Sequence, residues 1–272
     1  MNVSMTPSMA VNLCPILSNE AINAEYRLMT VAAPAIALTA KPGQFFHLKC
    51  PTAAGQAPYL RRPMSIYDID RGNGRLSFLY KVQGTGTRAL ADLRPGDTLD
   101  ALGPLGRGFD LPETCRHLLL IGRGVGLATL APLAEMAQRQ GVRVTAVLSA
   151  RTPSLVMSRE VLERRGARVL AVTDHDGSSD VTRLTGMLAD LHAATPFDRI
   201  ATCGSNRLFG MARNLCDRWQ IDGDIALEAR MGCGTGMCQA CVVRCVDDAG
   251  QEHYRTVCAD GPVFGIREAT SW

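Results

Sequence analysis

The 272-residue sequence predicts a multi-domain fold: an antiparallel β-barrel at residues 1–108, an α/β domain with a parallel sheet at 109–222, and a small cysteine-bearing domain at 223–272. Three observations carry the expectation. The first hundred or so residues alternate short extended runs with turn signals; the middle alternates apolar strands with amphipathic helices; the last fifty are rich in glycine and cysteine and show little helical periodicity. A chain this long can bury a separate core in each of two or three units.

In the first segment the extended runs QFFHLKC, SIYDID and RLSFLYKV are separated by RGNG and RPGD, the spacing of strands in a small antiparallel barrel. Arg61-Arg62-Pro63-Met64-Ser65 enters the second of these runs. An arginine can neutralise a phosphate bidentately, a proline fixes the entry geometry, and a serine hydroxyl can hydrogen-bond the phosphate or a flavin ring edge. Taken alone, the stretch reads first as an ordinary strand entry with two solvated arginines. Gly84-Thr85-Gly86-Thr87, however, offers backbone N–H groups and hydroxyls for a second phosphate. Two such sites on one barrel point to a flavin.

Glycines and prolines crowd between Gly103 and Gly108 and mark the break into the second segment. There HLLLIG, LATLAPLAEMAQRQG, VRVTAVLSA, SREVLERRG and ARVLAVTD alternate strand and helix, followed by TGMLADLHA, RIATCG and NRLFGMARNLCDRW. Gly122, Gly124 and Gly126 fall at the first strand-to-helix turn. Glycines there let the backbone approach a pyrophosphate, and the helix N-terminus supplies N–H donors and a favourable dipole. The spacing departs from G-x-G-x-x-G, so a tight structural turn competes; the position after an apolar strand favours nucleotide binding. Cys203-Gly204 ends a later strand, where a doubly wound sheet presents its ligand crevice, and a buried small thiol is an equal alternative to a nicotinamide neighbour. Arg151, after VTAVLSA, could serve a 2′-phosphate or sit in a solvated loop.

The third segment holds the strongest signal. Cys233, Cys238 and Cys241 in MGCGTGMCQAC, then Cys258 in RTVCADGP, match the spacing that wraps a [2Fe–2S] cluster in plant-type ferredoxins. Gly232, Gly234 and Gly236 lie beside the ligands, where a loop must bend closely round a cluster and aim N–H groups at its sulfides. A structural zinc site or unligated core thiols are the competing readings, but zinc ribbons pair two close doublets, whereas this is a triplet plus one. Cys245 is a fifth nearby thiol and is read as a non-ligand, and Cys14, Cys50, Cys115, Cys203 and Cys216 also fall outside the spacing.

Composition excludes several classes. Hydrophobic residues at 46% and charged residues at 20% exclude disordered, collagenous and coiled-coil chains. No apolar run approaches the roughly 18 residues that span a bilayer, and MNVSMTPSMAVNLC lacks the charged and apolar regions of a signal peptide, so a cytoplasmic protein with no membrane association is expected. With a net charge of +3 and scattered basic residues, no nucleic-acid partner is expected. The five histidines, His47, His117, His175, His192 and His253, lie apart and are read as structural. No G-x-S-x-G elbow is present, and no side-chain nucleophile is needed where a cofactor carries the chemistry.

Taken together, RRPMSI, GTGTRAL, LGPLGRGF, IGRGVG, the CG at Cys203 and RMGCGTGMCQACVVR through VCADGPVF resemble, in order and over nearly the whole chain, the electron-transfer subunits of the NAD-linked, two-subunit dihydroorotate dehydrogenases. The DGPVF ending is among the more specific elements. The resemblance implies a ferredoxin-reductase-like FAD barrel, a nicotinamide-nucleotide domain and a C-terminal [2Fe–2S] domain. It implies FAD contacts at Arg62, Pro63, Met64, Ser65, Leu79, Tyr80, Lys81, Gly86 and Thr87, and cluster ligation by Cys233, Cys238, Cys241 and Cys258. It also implies an FMN-containing catalytic partner that oxidises dihydroorotate to orotate in pyrimidine biosynthesis, in a heterotetramer, with electrons crossing the cluster and FAD to NAD. Three positions depart from the family pattern: Thr129 stands where a proline is usual, the proline coming only at Pro132; Ser205 follows Cys203-Gly204 where a proline is common; and Arg123 replaces a small residue. The small subunit of an NADPH-linked ferredoxin oxidoreductase or an oxygenase reductase shares these features, and a non-enzymatic redox sensor is the alternative from another class.

Overall fold

The computed structural model describes residues 9–52, 55, 58–247 and 249–270. The first part contains β1 (Ala10–Ala21), β2 (Tyr26–Ala32), β3 (Phe45–Leu48), β4 (Arg62–Ser65), β5 (Asp68–Asp70), β6 (Arg75–Lys81), the short helix α1 (Thr85–Ala91) and β7 (Thr98–Leu105). All its strands pair antiparallel, in the order β4-β3-β7-β1-β2-β6-β5. Alternation along each strand sends one set of side chains inward. Cys14 and Ile16 of β1, Phe46 of β3 and Phe78 of β6 thus meet in one core, with the two phenylalanine rings edge to face at 5.7 Å.

The second part follows the expected alternation: β8 (His117–Arg123), α2 (Gly126–Arg139), β9 (Arg143–Ala150), α3 (Arg159–Arg164), β10 (Arg168–Thr173), α4 (Val181–Ala194), β11 (Arg199–Cys203), α5 (Asn206–Trp219) and β12 (Asp222–Ala226). Local capping sets two of the helix starts: Asp180 accepts the N–H groups of Thr182 and Arg183 at 2.9 and 3.0 Å, and Ser205 accepts that of Leu208 at 3.4 Å. The sheet order is β10-β9-β8-β11-β12-β15, with β15 at Val263–Gly265. The chain moves outward from β8 to β10, then returns to the other side of β8 at β11. The carboxyl ends of β8 and β11 therefore flank a topological switch point, where open α/β sheets bind ligands.

The cysteine-bearing segment lies between β12 and β15 and contributes a hairpin of β13 (Val242–Val246) and β14 (Glu252–Thr256). β15 pairs antiparallel with β12, placing Phe264 opposite Ile225, so the six-stranded sheet extends past residue 222, where the sequence alone suggested an end. A single apolar core joins Phe45 and Leu105 of the barrel, Leu119 and Ile200 of the sheet, and Cys241, Val257 and Cys258 of the tail. Arg165 adds a polar tie, reaching Asp68 of the barrel and Glu135 of α2.

A buried ion pair lies at the base of this sheet. Arg199 Nε and Nη2 bind the Asp224 carboxylate at 2.7 and 2.8 Å, with the two side chains 17% and 12% exposed. Burial raises the Asp224 carboxyl more strongly than Arg199 draws it down, so the pair stands on their mutual contact. Arg199→Met leaves an uncompensated acid in the sheet and is expected to cost about 3–5 kcal/mol, most of it regained in Arg199→Met/Asp224→Leu. Denaturant midpoints of the two variants check this; equal midpoints would contradict it.

Candidate functional site

A cleft of about 550 Å³ runs between the barrel and the other two parts. Its walls carry Arg62, Pro63, Met64 and Ser65 of β4, Leu79 and Lys81 of β6, and Thr87 of α1. Strand alternation turns Tyr80 the other way, into the barrel core, where its hydroxyl donates to Asn19 Oδ1 at 2.9 Å. Its side chain thus serves the barrel and not the cleft. The Thr87 hydroxyl accepts the N–H groups of Gln83 and Gly84 at 2.9 and 3.0 Å and fixes the turn into α1. Gly86 lies against Arg62, whose Nε would be 2.7 Å from an added Cβ.

The two adjacent arginines have different partners. Arg61 forks onto Asp100 at 2.8 and 2.9 Å and reaches the His47 carbonyl at 3.1 Å, which clamps β3 to β7. Arg62 contacts the carbonyls of Leu60 and Arg61 and pairs with no carboxylate among the described residues. An uncompensated guanidinium beside the amides of α1, on the wall of a cleft this size, fits the pyrophosphate of FAD.

A second opening, about 230 Å³, shares Lys81, Val125 and Glu228 with the first and continues to Arg123, Gly124, Arg151 and Gly204. It lies at the switch point. Gly126, at the start of α2, is close enough to the turn after β11 that a Cβ would come 2.5 Å from the Cys203 carbonyl oxygen. Gly204, at φ +104°, faces the Arg123 carbonyl with no room for a side chain. The glycines thus join the strand-to-helix turns of β8 and β11, while Gly122 packs against Leu127. Cys203 is buried between them, and burial raises its thiol well above the ordinary range despite a contact from Thr129.

Each departure from the family pattern has a place here. Thr129 Oγ1 donates to Ser65 Oγ at 2.8 Å and so links α2 to β4. Ser205 caps α5. Arg123 binds Ser149 Oγ at 2.8 Å and Asp174 at 2.6 and 3.2 Å, holding the Asp174 carboxyl down at about 2. Arg207 shares Asp174 at 3.3 Å, and Arg151 pairs with Glu25. Glu228 is a residue that sequence reading passed over. It fronts both openings, where the residue is exposed, and the protein crowded round its carboxyl raises it. A single glutamate has no spacing pattern by which to find it.

The loop from Cys233 to Cys241, with Cys258, brings four sulfurs under main-chain donors. Cys233 Sγ accepts the N–H groups of Thr235 and Cys238 at 3.4 Å, Cys238 Sγ that of Cys233 at 3.4 Å, Cys258 Sγ that of Gly236 at 3.1 Å, and Cys241 Sγ that of Cys258 at 3.4 Å. Burial raises the Cys233 thiol, but the amides of Cys238 and Thr235 outweigh it and bring it to about 6. Cys258, more enclosed and beside Cys241, is pushed up to about 12. Thiols gathered under amide donors fit a [2Fe–2S] cluster. Cys245 lies elsewhere, buried on β13 beside His253 and Glu268.

Residues 228–270 match the iron-sulfur cluster binding domain of dihydroorotate dehydrogenase B, and residues 13–109 match the oxidoreductase FAD-binding domain. The dihydroorotate dehydrogenase B (NAD(+)) electron transfer subunit of Bacillus cereus strain Q1 is 37% identical over 233 residues, covering 84% of this chain and 86% of its own. The chain belongs to this family of electron transfer subunits. The family's subunit in Bacillus anthracis strain A0248 matches to the same extent, 37% over 84% of this chain. Among solved structures, an NADH-dependent reduced ferredoxin-NADP oxidoreductase studied for flavin-based electron bifurcation is 28% identical, with a TM-score of 0.78 over 96% of this chain and 90% of that one. Ferredoxin-NADP+ reductase from Plasmodium falciparum, 11% identical with a TM-score of 0.61 over 78% of this chain and 95% of that one, shares the fold. As a member of the family, the subunit carries an FAD-binding domain and an iron-sulfur cluster binding domain; Arg62–Ser65, Leu79, Lys81 and Thr87 lie in the first match and the four cysteines of the loop in the second.

Proposed function

We propose that this subunit passes electrons between a dihydroorotate-oxidising, FMN-containing partner and NAD, through a [2Fe–2S] cluster and FAD, in pyrimidine biosynthesis. The observation that carries the reading is the common wall of the two openings: Lys81, Val125 and Glu228 front both, so a nicotinamide in one and a flavin in the other would meet there. When bound, FAD exchanges hydride with a nicotinamide and single electrons with an iron–sulfur centre. Arg62 and the turn at Gly86 hold its phosphates, Pro63, Met64 and Leu79 line its cleft, and Ser65, fixed by Thr129, offers a hydroxyl. Gly124, Gly126 and Gly204 leave space for the nicotinamide nucleotide, and Cys233, Cys238, Cys241 and Cys258 ligate the cluster. Two subunits of each kind form a heterotetramer in the cytoplasm. No disulfide joins any of the ten cysteines, and no helix of the described residues is long and apolar enough to cross a membrane.

The test is anaerobic. The purified chain should release FAD, contain two irons, bleach its flavin on addition of NADH, and accept electrons from dihydroorotate only with its partner present. Flavin left oxidised at millimolar NADH would overturn the reading.

The likeness to the ferredoxin-NADP oxidoreductase favours one alternative, a subunit that uses NADPH. The charges oppose it. Arg123 and Arg207 are paired with Asp174, and Arg151 and Lys81 with Glu25, so each of these four cations is already engaged by a carboxylate and none is free to bind a 2′-phosphate. NADH should therefore reduce the flavin far faster than NADPH. Asp174→Asn frees two guanidinium groups and should raise kcat/KM for NADPH roughly tenfold, about 1.4 kcal/mol, with little change for NADH.

A further inference from the structure

β3 is the strand through which the barrel touches the cysteine loop. Phe46 points into the barrel core, whereas Phe45 lines the flavin cleft and packs in the same core as Cys241 and Cys258. His47, two positions on from Phe45, is fully buried, and neither of its ring nitrogens completes a hydrogen bond, although the Cys233 main chain lies close enough to act on the ring. Its Nδ1 faces the loop: a Cβ on Gly234 would lie 2.8 Å from it, so only glycine, here at φ +76°, leaves the ring its place. Arg61, the nearest cation above the strand, is held by the His47 carbonyl and Asp100 and not by the ring. Burying an imidazole with both nitrogens unmatched is unfavourable, and buried polar groups in folded proteins are almost always paired. A second partner chemistry is therefore expected at this point, and the neighbouring residue, Cys233, supplies it.

We propose that His47 is a positioning residue for the [2Fe–2S] cluster, its neutral imidazole donating an N–H to the sulfur side of the Cys233–Gly234 loop when the cluster is bound. The inference rests on the reading of Cys233 as a ligand. A donor to cluster sulfur stabilises the more negative reduced state, so His47 raises the cluster's reduction potential. Through Phe45 and His47 one strand of the flavin barrel then contacts both redox sites.

The holo-subunit labelled with 15N-histidine, reduced with dithionite, tests this by pulsed EPR. A 15N coupling to the cluster is expected, and it should vanish in His47→Gln. In redox titrations, His47→Leu should lower the cluster potential, about 59 mV for each tenfold loss in the equilibrium for its reduction. His47→Gln, which keeps an N–H donor, should recover part of the loss, and the flavin potential should not move. A wild-type potential in a loaded His47→Leu protein overturns the proposal, as does a wild-type cluster with no 15N-histidine coupling. Should His47→Leu fail to load, the labelled wild-type protein decides by itself. A wild-type preparation without two irons would instead sink the cluster reading on which the inference stands.

Discussion

Cys258→Ser is expected to abolish the cluster and, with it, all electron transfer to the partner, while leaving NADH-dependent reduction of the flavin within about twofold of wild type. The thiolate is the soft ligand that iron requires, and Cys258 Sγ lies beside the Cys241 thiol, 3.1 Å from the Gly236 nitrogen. None of the four cysteines lines the flavin cleft. Iron content, visible absorption and NADH-ferricyanide turnover together measure the split. Cys245→Ser is the control: that thiol packs beside His253 and Glu268, so its loss should cost core stability and leave both irons in place. If Cys245→Ser emptied the site and Cys258→Ser did not, the ligand set would be wrong.

Much of this architecture could be read from residue types at short spacing. Alternating apolar strands and helices from 117 to 219 require a parallel sheet, and the three closely spaced cysteines before Cys258 mark the loop proposed to hold the cluster, because both signals repeat within a few residues. The resemblance grouped Tyr80 with Leu79 and Lys81 at the flavin, whereas strand alternation turns its side chain into the barrel core, away from the cleft that its two neighbours line. Contacts between distant residues carried no such signal. Thr129 meets Ser65 across 64 positions and Arg123 meets Asp174 across 51, so a missing proline and an added cation looked like departures until the fold supplied their partners. His47 read as a structural histidine for the same reason: the loop it faces lies far along the chain and offers no nearby ligand spacing. The extent of the six-stranded sheet depended on β12 and β15, short strands whose pairing is decided by Ile225 and Phe264 meeting in the shared core and by no local pattern.

Gly204→Ala should have the second large effect, a fall in kcat/KM for NADH of roughly 100-fold, about 2.7 kcal/mol, with iron and FAD content unchanged. At φ +104° an alanine is strained whatever the space, and here there is none, because the new Cβ would overlap the Arg123 carbonyl oxygen. That carbonyl belongs to the β8 turn and cannot swing aside as a side-chain tip could, so the two turns must part. Gly126 presses on the Cys203 carbonyl from the opposite direction, and parting the turns changes the spacing of the wall from which Val125 and Glu228 front both openings. Misplacement of that wall by even about 1 Å is enough to cost two orders of magnitude in a transfer that depends on the alignment of two rings. Gly186→Ala, on α4 with open space around it, serves as the reference and should stabilise the chain slightly, by about 0.5–1 kcal/mol. Stopped-flow reduction of the flavin by NADH distinguishes the outcomes: a Gly204→Ala protein that reduces at the wild-type rate would mean that the nicotinamide does not enter between β8 and β11.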